Sequence, residues 1–167
     1  EAMVKACLKI PSLFTLKPET VEEKVNELVE KFAGDGVTRE TMLKACLKAP
    51  SLFCRDPESI ESNVNGLVEK FATGDVKRKN IMTACLSKPS LFCQDPATIA
   101  SNVNGLVESF EGAGVTREAM VNACLSHPQL FCQKPETIES NVNGLVEKFA
   151  TGDVKRKNIM NACLSNP

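Results

Sequence analysis

Between residues 56 and 92 the apolar positions fall on two helical periods separated by a break. Ile60, Val64, Leu67, Val68 and Phe71 stand at i, i+4, i+7, i+8 and i+11, which is one apolar stripe along a helix. Asp56-Pro57-Glu58 supplies its start: a carboxylate able to accept a free backbone N–H, a proline already set for the first helical position, and an acid favoured by the helix dipole. Gly74-Asp75 interrupts the pattern, and a second helix is predicted over about 77–87, carrying Ile81, Met82, Ala84, Cys85 and Leu86. Pro89 ends it, because proline has no N–H and disfavours the helical region for the residue before it. Ser90-Leu91-Phe92 then predicts a tight 3₁₀ turn that sends two large side chains into the core. No stretch alternates with the period of a strand, so the fold class is all-α.

This block recurs. Ala-Cys-Leu begins at Ala6, Ala45, Ala84, Ala123 and Ala162, a fixed period of 39 residues. Such a period predicts a solenoid in which each unit buries its apolar face only by stacking on its neighbours. The expected architecture is a right-handed-type α-solenoid of helix–turn–helix repeats with a Pro-x-Leu-Phe third element. It forms a single array over 1–167, with repeats at about 6–44, 45–83, 84–122 and 123–161 and partial units at both ends. The sequence reads as a piece of a longer array, and ends without polar caps predict end-to-end association. A longer period overlies the first: residues 58–87 and 136–165 differ only at Ser59/Thr137 and Thr83/Asn161. The second helix opens alternately as Gly-Val-Thr-Arg-Glu, at 36–40 and 114–118, and as Asp-Val-Lys-Arg-Lys, at 75–79 and 153–157.

The net charge of −1 conceals a segregation. In the first helices, 18–32, 57–71, 96–110 and 135–149, acids outnumber bases in every unit. In the second, bases outnumber acids by three to one over 36–50, four to one over 75–89 and three to one over 153–167, and balance one to one over 114–128. One helix layer is therefore acidic and the other basic. Lys77-Arg78-Lys79 and Lys155-Arg156-Lys157 place cations at helix N-termini, where the dipole disfavours them, and a phosphate would offset that penalty. Arg39 and Arg117 occupy the same repeat position as Arg78, and all eight side chains are phosphate-binding candidates.

The eight cysteines recur at two repeat positions, 7/46/85/124/163 and 54/93/132, beside Leu or Phe in the apolar pattern. That placement predicts small packed thiols in a reducing intracellular compartment, whether cytoplasm, nucleus or an organelle matrix. No Cys-x-x-Cys occurs and His127 is the only histidine, so neither a metal nor another cofactor is expected. No membrane span or signal peptide is recognisable. A catalytic triad and a Gly-rich phosphate loop are also missing from the sequence, and the expectation is a non-enzymatic protein.

Against this constant background three positions vary. The residue before each proline is Ile10, Ala49, Lys88, His127 and Asn166. The residue before Ala-Cys-Leu is Lys5, Lys44, Thr83, Asn122 and Asn161, and the residue after it is Lys9, Lys48, Ser87, Ser126 and Ser165. The last two positions are four apart, hence on one helical face. Asn, Ser, Thr, Lys and His supply the donors and acceptors that read base edges. The chain has no Trp or Tyr, and the eight Phe all hold repeated apolar positions, so base stacking is not expected. Helical phase alone turns Lys88 toward the edge of the apolar stripe, and its display depends on Pro89 loosening the last turn.

Two helices followed by Pro50-Ser51-Leu52-Phe53, Pro89-Ser90-Leu91-Phe92 or Pro128-Gln129-Leu130-Phe131 resemble the repeat of the mitochondrial transcription termination factor (mTERF) family. The resemblance implies a helical solenoid that binds nucleic acid through a basic face. The unit here is longer than that family's usual repeat, and the near-identical tandem copies look more like the modular arrays of TAL effectors and pentatricopeptide proteins. Together these features imply a modular nucleic-acid-binding protein, one repeat per base, with DNA favoured over RNA. The alternative is a helical-repeat scaffold for a protein or peptide partner, toward which the apolar Ile10 and Ala49 point.

Overall fold

The computed structural model describes residues 1–150 together with 158, 159, 162 and 163. Eight α-helices and no strands occur among the described residues. The chain divides into two compact units, Glu1–Pro96 and Ala97–Pro167.

In the first unit the helices are α1 (Ala2–Lys9), α2 (Pro18–Lys31), α3 (Arg39–Lys48), α4 (Pro57–Phe71) and α5 (Arg78–Ser87). Short 3₁₀ turns follow α1, α3 and α5, at Pro11–Thr15, Pro50–Phe53 and Pro89–Cys93. The predicted proline-initiated helices form as expected: Pro18 and Pro57 take the first turn, where a missing N–H costs nothing. Asp56 caps α4, accepting from the Ser59 N–H at 3.0 Å and its hydroxyl at 2.9 Å. Those two bonds, the backbone one foremost, hold its carboxyl below the ordinary value of 3.8.

Like elements stack on like. α2 packs on α4, the 3₁₀ turns at 50–53 and 89–93 touch, and α3 contacts both α1 and α5. The core consists of the repeated apolar positions, with Phe32, Phe53, Phe71 and Phe92 almost wholly buried. Phe32, which caps the C-terminus of α2, meets Phe92 of the 89–93 turn at 5.9 Å between ring centroids, tilted by 42°, a geometry that aromatic quadrupoles favour. The expectation that every Phe lies in the core fails at two positions: Phe14 is 64% exposed and Phe149 59%.

Two contacts tie α4 to the residues that close the first unit. Gly66 on α4 admits the Pro96 ring to a distance that a side chain would forbid. Asn63 donates from Nδ2 to the Phe92 carbonyl at 3.0 Å, satisfying a backbone acceptor in the third turn. At the Asn63 position of the preceding repeat, Lys24 reaches the Cys54 carbonyl at 3.0 Å.

The second unit contains α6, which runs Pro96–Phe110 from the boundary, α7 (Arg117–Ser126) and α8 (Pro135–Phe149), with a 3₁₀ turn at Leu130–Cys132. It repeats the same devices: the Pro135 ring approaches Gly105, and Asn102 donates to the Phe131 carbonyl at 3.2 Å. Gly36 and Gly114 end matching 3₁₀ turns ahead of α3 and α7 with φ of +78°, a conformation that a side chain strains.

Cys46, Cys85 and Cys124 are buried, as the packed-thiol reading expects, whereas Cys54, Cys93 and Cys132 are half-buried and Cys163 is exposed. Burial pushes the Cys46 and Cys124 thiols up to about 12. Among the described residues no helix is long and apolar enough to cross a membrane.

Candidate nucleic-acid interface

The three variable positions occupy the C-terminal end of each second helix and its exit. In the first unit Lys5 and Lys9 on α1, Lys44 and Lys48 on α3, and Thr83 and Ser87 on α5 are all exposed. In the second unit Asn122 and Ser126 on α7 are exposed, as is His127 at its exit. Asn161, Ser165 and Asn166 lie outside the described residues.

The pre-proline position has one backbone conformation in every described unit. Its φ/ψ is −129°/86° at Ile10, −123°/82° at Ala49, −119°/81° at Lys88 and −124°/78° at His127. Each N–H donates back to the alanine four residues earlier, at 2.8–3.0 Å, and each carbonyl accepts from the leucine three residues on, at 2.9–3.0 Å. The residue has left the helix, as the proline demands, yet both its backbone polar groups are satisfied. Side-chain direction is thereby fixed whatever the side chain is. Exposure varies: Ala49 and Lys88 are half-buried and His127 is exposed.

Not every polar group on this face is free. Lys44 donates to Glu40 at 2.6 Å, and that bond holds the Glu40 carboxyl below its usual range. The Thr83 hydroxyl donates to the Lys79 carbonyl at 2.9 Å, which leaves its oxygen able to accept.

At the other end of the second helices the arginines serve a recurring clasp. Arg39 Nη1 donates to Asn26 Oδ1 at 2.5 Å and Arg78 Nη1 to Asn65 Oδ1 at 2.7 Å; Arg117 makes the same bond to Asn104. Each bond ties the first turn of a second helix to the middle of the first helix of its own repeat. Arg39 also pairs with Glu22 at 3.0 Å, and Arg78 Nε with the Asp35 carboxylate at 2.8 and 2.9 Å. Asn143 holds the corresponding position on α8, where its Oδ1 is buried and unpartnered among the described residues. Arg156, its counterpart in the period, lies outside them, as do Lys155 and Lys157. The clasp was available in the sequence as Asn and Arg thirteen residues apart at 26/39, 65/78, 104/117 and 143/156, but reading the arginines only as charges concealed it.

Lys77 and Lys79 differ from these arginines. Both are exposed; the Lys77 backbone N–H donates to Asn80 Oδ1 at 2.8 Å, and neither ammonium has an ion-pair partner among the described residues. In the alternate repeats a threonine replaces Lys77: Thr38 accepts from the Thr41 N–H and Thr116 from the Ala119 N–H, so these helices are capped by their own side chains.

Tandem helix pairs closed by a Pro-x-Leu-Phe turn, with one displayed position per unit, define a helical-repeat protein. The mTERF family model matches residues 5–152, and the chain belongs to the mTERF family. None of the curated proteins compared with the chain matches it.

Proposed function

We propose that this protein binds nucleic acid through the second-helix face, each repeat presenting one base-reading triplet, with DNA preferred to RNA. The observation that carries the reading is the pre-proline position: four different side chains stand on one backbone conformation, the arrangement a modular code requires. Family membership supports nucleic acid as the partner. The variable positions hold no Phe, Tyr or Trp, which favours edge reading of a duplex over stacking of splayed bases. Ala49, Lys88 and His127, with Lys44, Lys48, Thr83, Ser87, Asn122 and Ser126, are the proposed readers.

Phosphate contact is assigned chiefly to Lys77 and Lys79, whose ammonium groups have no ion-pair partner among the described residues. Arg39, Arg78 and Arg117 contribute through the clasp that positions the second helices. Phosphate contacts set affinity and its salt dependence, base contacts set preference, and the two separate by mutation.

The test is selection from randomised duplex and single-stranded oligonucleotides at two salt concentrations. Enrichment of a motif whose length follows the number of repeats is the expected result. Lys88→Asn should change preference at one position, by about 1–3 kcal/mol between bases, and leave the salt slope intact. Removing Lys77 and Lys79 together should weaken all sequences alike and lower the slope by about 1 to 2. Binding without preference, or identical behaviour of the two variants, would refute the division.

A further inference from the structure

A lysine on a face that meets nucleic acid ordinarily settles on a phosphate, because the phosphate charge attracts an ammonium group whatever the base sequence. The first variable position is nevertheless lysine in two repeats, at Lys5 and Lys44. Each is paired with a glutamate one helical turn earlier. Lys44 Nζ donates to Glu40 Oε1 at 2.6 Å on α3, and Lys5 Nζ to Glu1 Oε1 at 2.8 Å beside α1.

The pairing is selective. At positions 1, 40, 79, 118 and 157 the chain carries Glu, Glu, Lys, Glu and Lys, and four residues further on it carries Lys, Lys, Thr, Asn and Asn. A lysine at the variable position always has glutamate before it, and Lys79 and Lys157 stand only before a neutral residue. On α5 the Thr83 hydroxyl donates to the Lys79 carbonyl, while the Lys79 ammonium has no ion-pair partner among the described residues. On α7 Glu118 precedes Asn122, and both are exposed. Each repeat thus displays a cancelled cation, a single cation or a single anion at these two sites, and never two cations.

Glu40 and Lys44 share one helical face with Lys48, at i, i+4 and i+8. Lys44 is 68% exposed and Glu40 75%, so their bond contributes little to the fold. Its effect falls on what approaches. A phosphate oxygen drawn to the ammonium meets the carboxylate as well, and the attraction is largely cancelled; a neutral base edge meets no such repulsion. The ammonium has three hydrogens and gives one to Glu40, which leaves two for acceptors such as N7 and O6 of guanine.

We infer, resting on the proposed binding of nucleic acid through the second-helix face, that Glu40 is a positioning residue that keeps Lys44 off the phosphates and presents it to a base edge, whereas Lys79, at the same site of the next repeat, grips phosphate beside a neutral reader. The residue one turn before the reader then decides whether the lysine of a repeat specifies a base or holds the backbone.

Titration of the full chain with the oligonucleotide it selects, at several salt concentrations, tests this. Glu40→Gln keeps the shape of the side chain and removes its charge. The expected result is a salt slope steeper by about 0.7–0.9, one further phosphate contact, with preference at the base read by this repeat reduced by about fivefold or more. Adding Lys44→Met to Glu40→Gln should return the slope to that of wild type. Glu118→Gln makes the same change of charge where Asn122 stands four residues on, and should leave the slope unaltered. A wild-type slope for Glu40→Gln, or equal steepening by Glu40→Gln and Glu118→Gln, would overturn the inference and leave nucleic-acid binding in place; a chain that selects no oligonucleotide would overturn both.

Discussion

A β-carbon placed on Gly66 would stand 2.7 Å from Cγ of Pro96. The obstacle is a proline ring, which cannot swing aside as a long side chain could, so substitution must push α4 away from Pro96. Gly66→Ala is therefore expected to destabilise the protein by about 1–3 kcal/mol, despite the better helix propensity of alanine. Gly144→Ala, in open space, should stabilise by up to about 1 kcal/mol. Paired denaturant titrations check the contrast, and equal effects at the two sites would show that the ring is not the obstacle.

The Asn–Arg clasp makes a different prediction. Asn65→Ala removes an acceptor for Arg78 on a half-exposed surface, and the expected loss is about 0.5–1.5 kcal/mol. Because Arg78 keeps Asp35, its side chain should hold its place. Nucleic-acid affinity of Asn65→Ala should weaken without change of salt slope, as measured by titration at several ionic strengths.

Aromatic positions that are equivalent in the sequence should not be equivalent in energy. Phe92→Ala empties a buried site against Phe32 and should cost about 3–5 kcal/mol. Phe14→Ala, at the same repeat position on an exposed turn, should change monomer stability by no more than about 0.5 kcal/mol. Thermal melts of dilute protein distinguish the two.

Alkaline pH should unfold the protein through its buried thiols. Cys46 and Cys124 have folded values raised to about 12 by burial, against an ordinary 9.0. Below pH 9 both thiols are protonated whether the chain is folded or not, and their contribution to stability is complete. As pH climbs from 9 toward 12 the unfolded chain ionises and the folded one does not, so stability falls. Replacing both residues by Ala should flatten the alkaline limb of a plot of melting temperature against pH, at a cost in stability at neutral pH.

Much of this fold is legible because each unit states its own rules: the stripe from Ile60 to Phe71, the cap at Asp56 and the stop at Pro89 each appear in the structure where local chemistry puts them. Phe14 and Phe149 defeated the same logic because burial in a repeat depends on the neighbour, not on the residue. Arg39, Arg78 and Arg117 were visible as charges, whereas their hydrogen bonds depend on the angle between two helices, which periodicity does not encode. The half-burial of Lys88 follows from the turn imposed by Pro89, a direction that helical phase could only bracket.

The pre-proline residue has spent both of its main-chain hydrogen-bonding groups inside its own unit. Its N–H is no longer available to a ligand and its carbonyl already holds one partner, so on the proposed reading what distinguishes one repeat from the next at this position is the side chain. At Ala49 that is a single methyl group, which offers apolar contact alone, whereas Lys88 one repeat on offers an amine. If the proposed reading holds, exchanging such a side chain leaves the backbone of the neighbouring repeats untouched, which makes these positions natural places to edit.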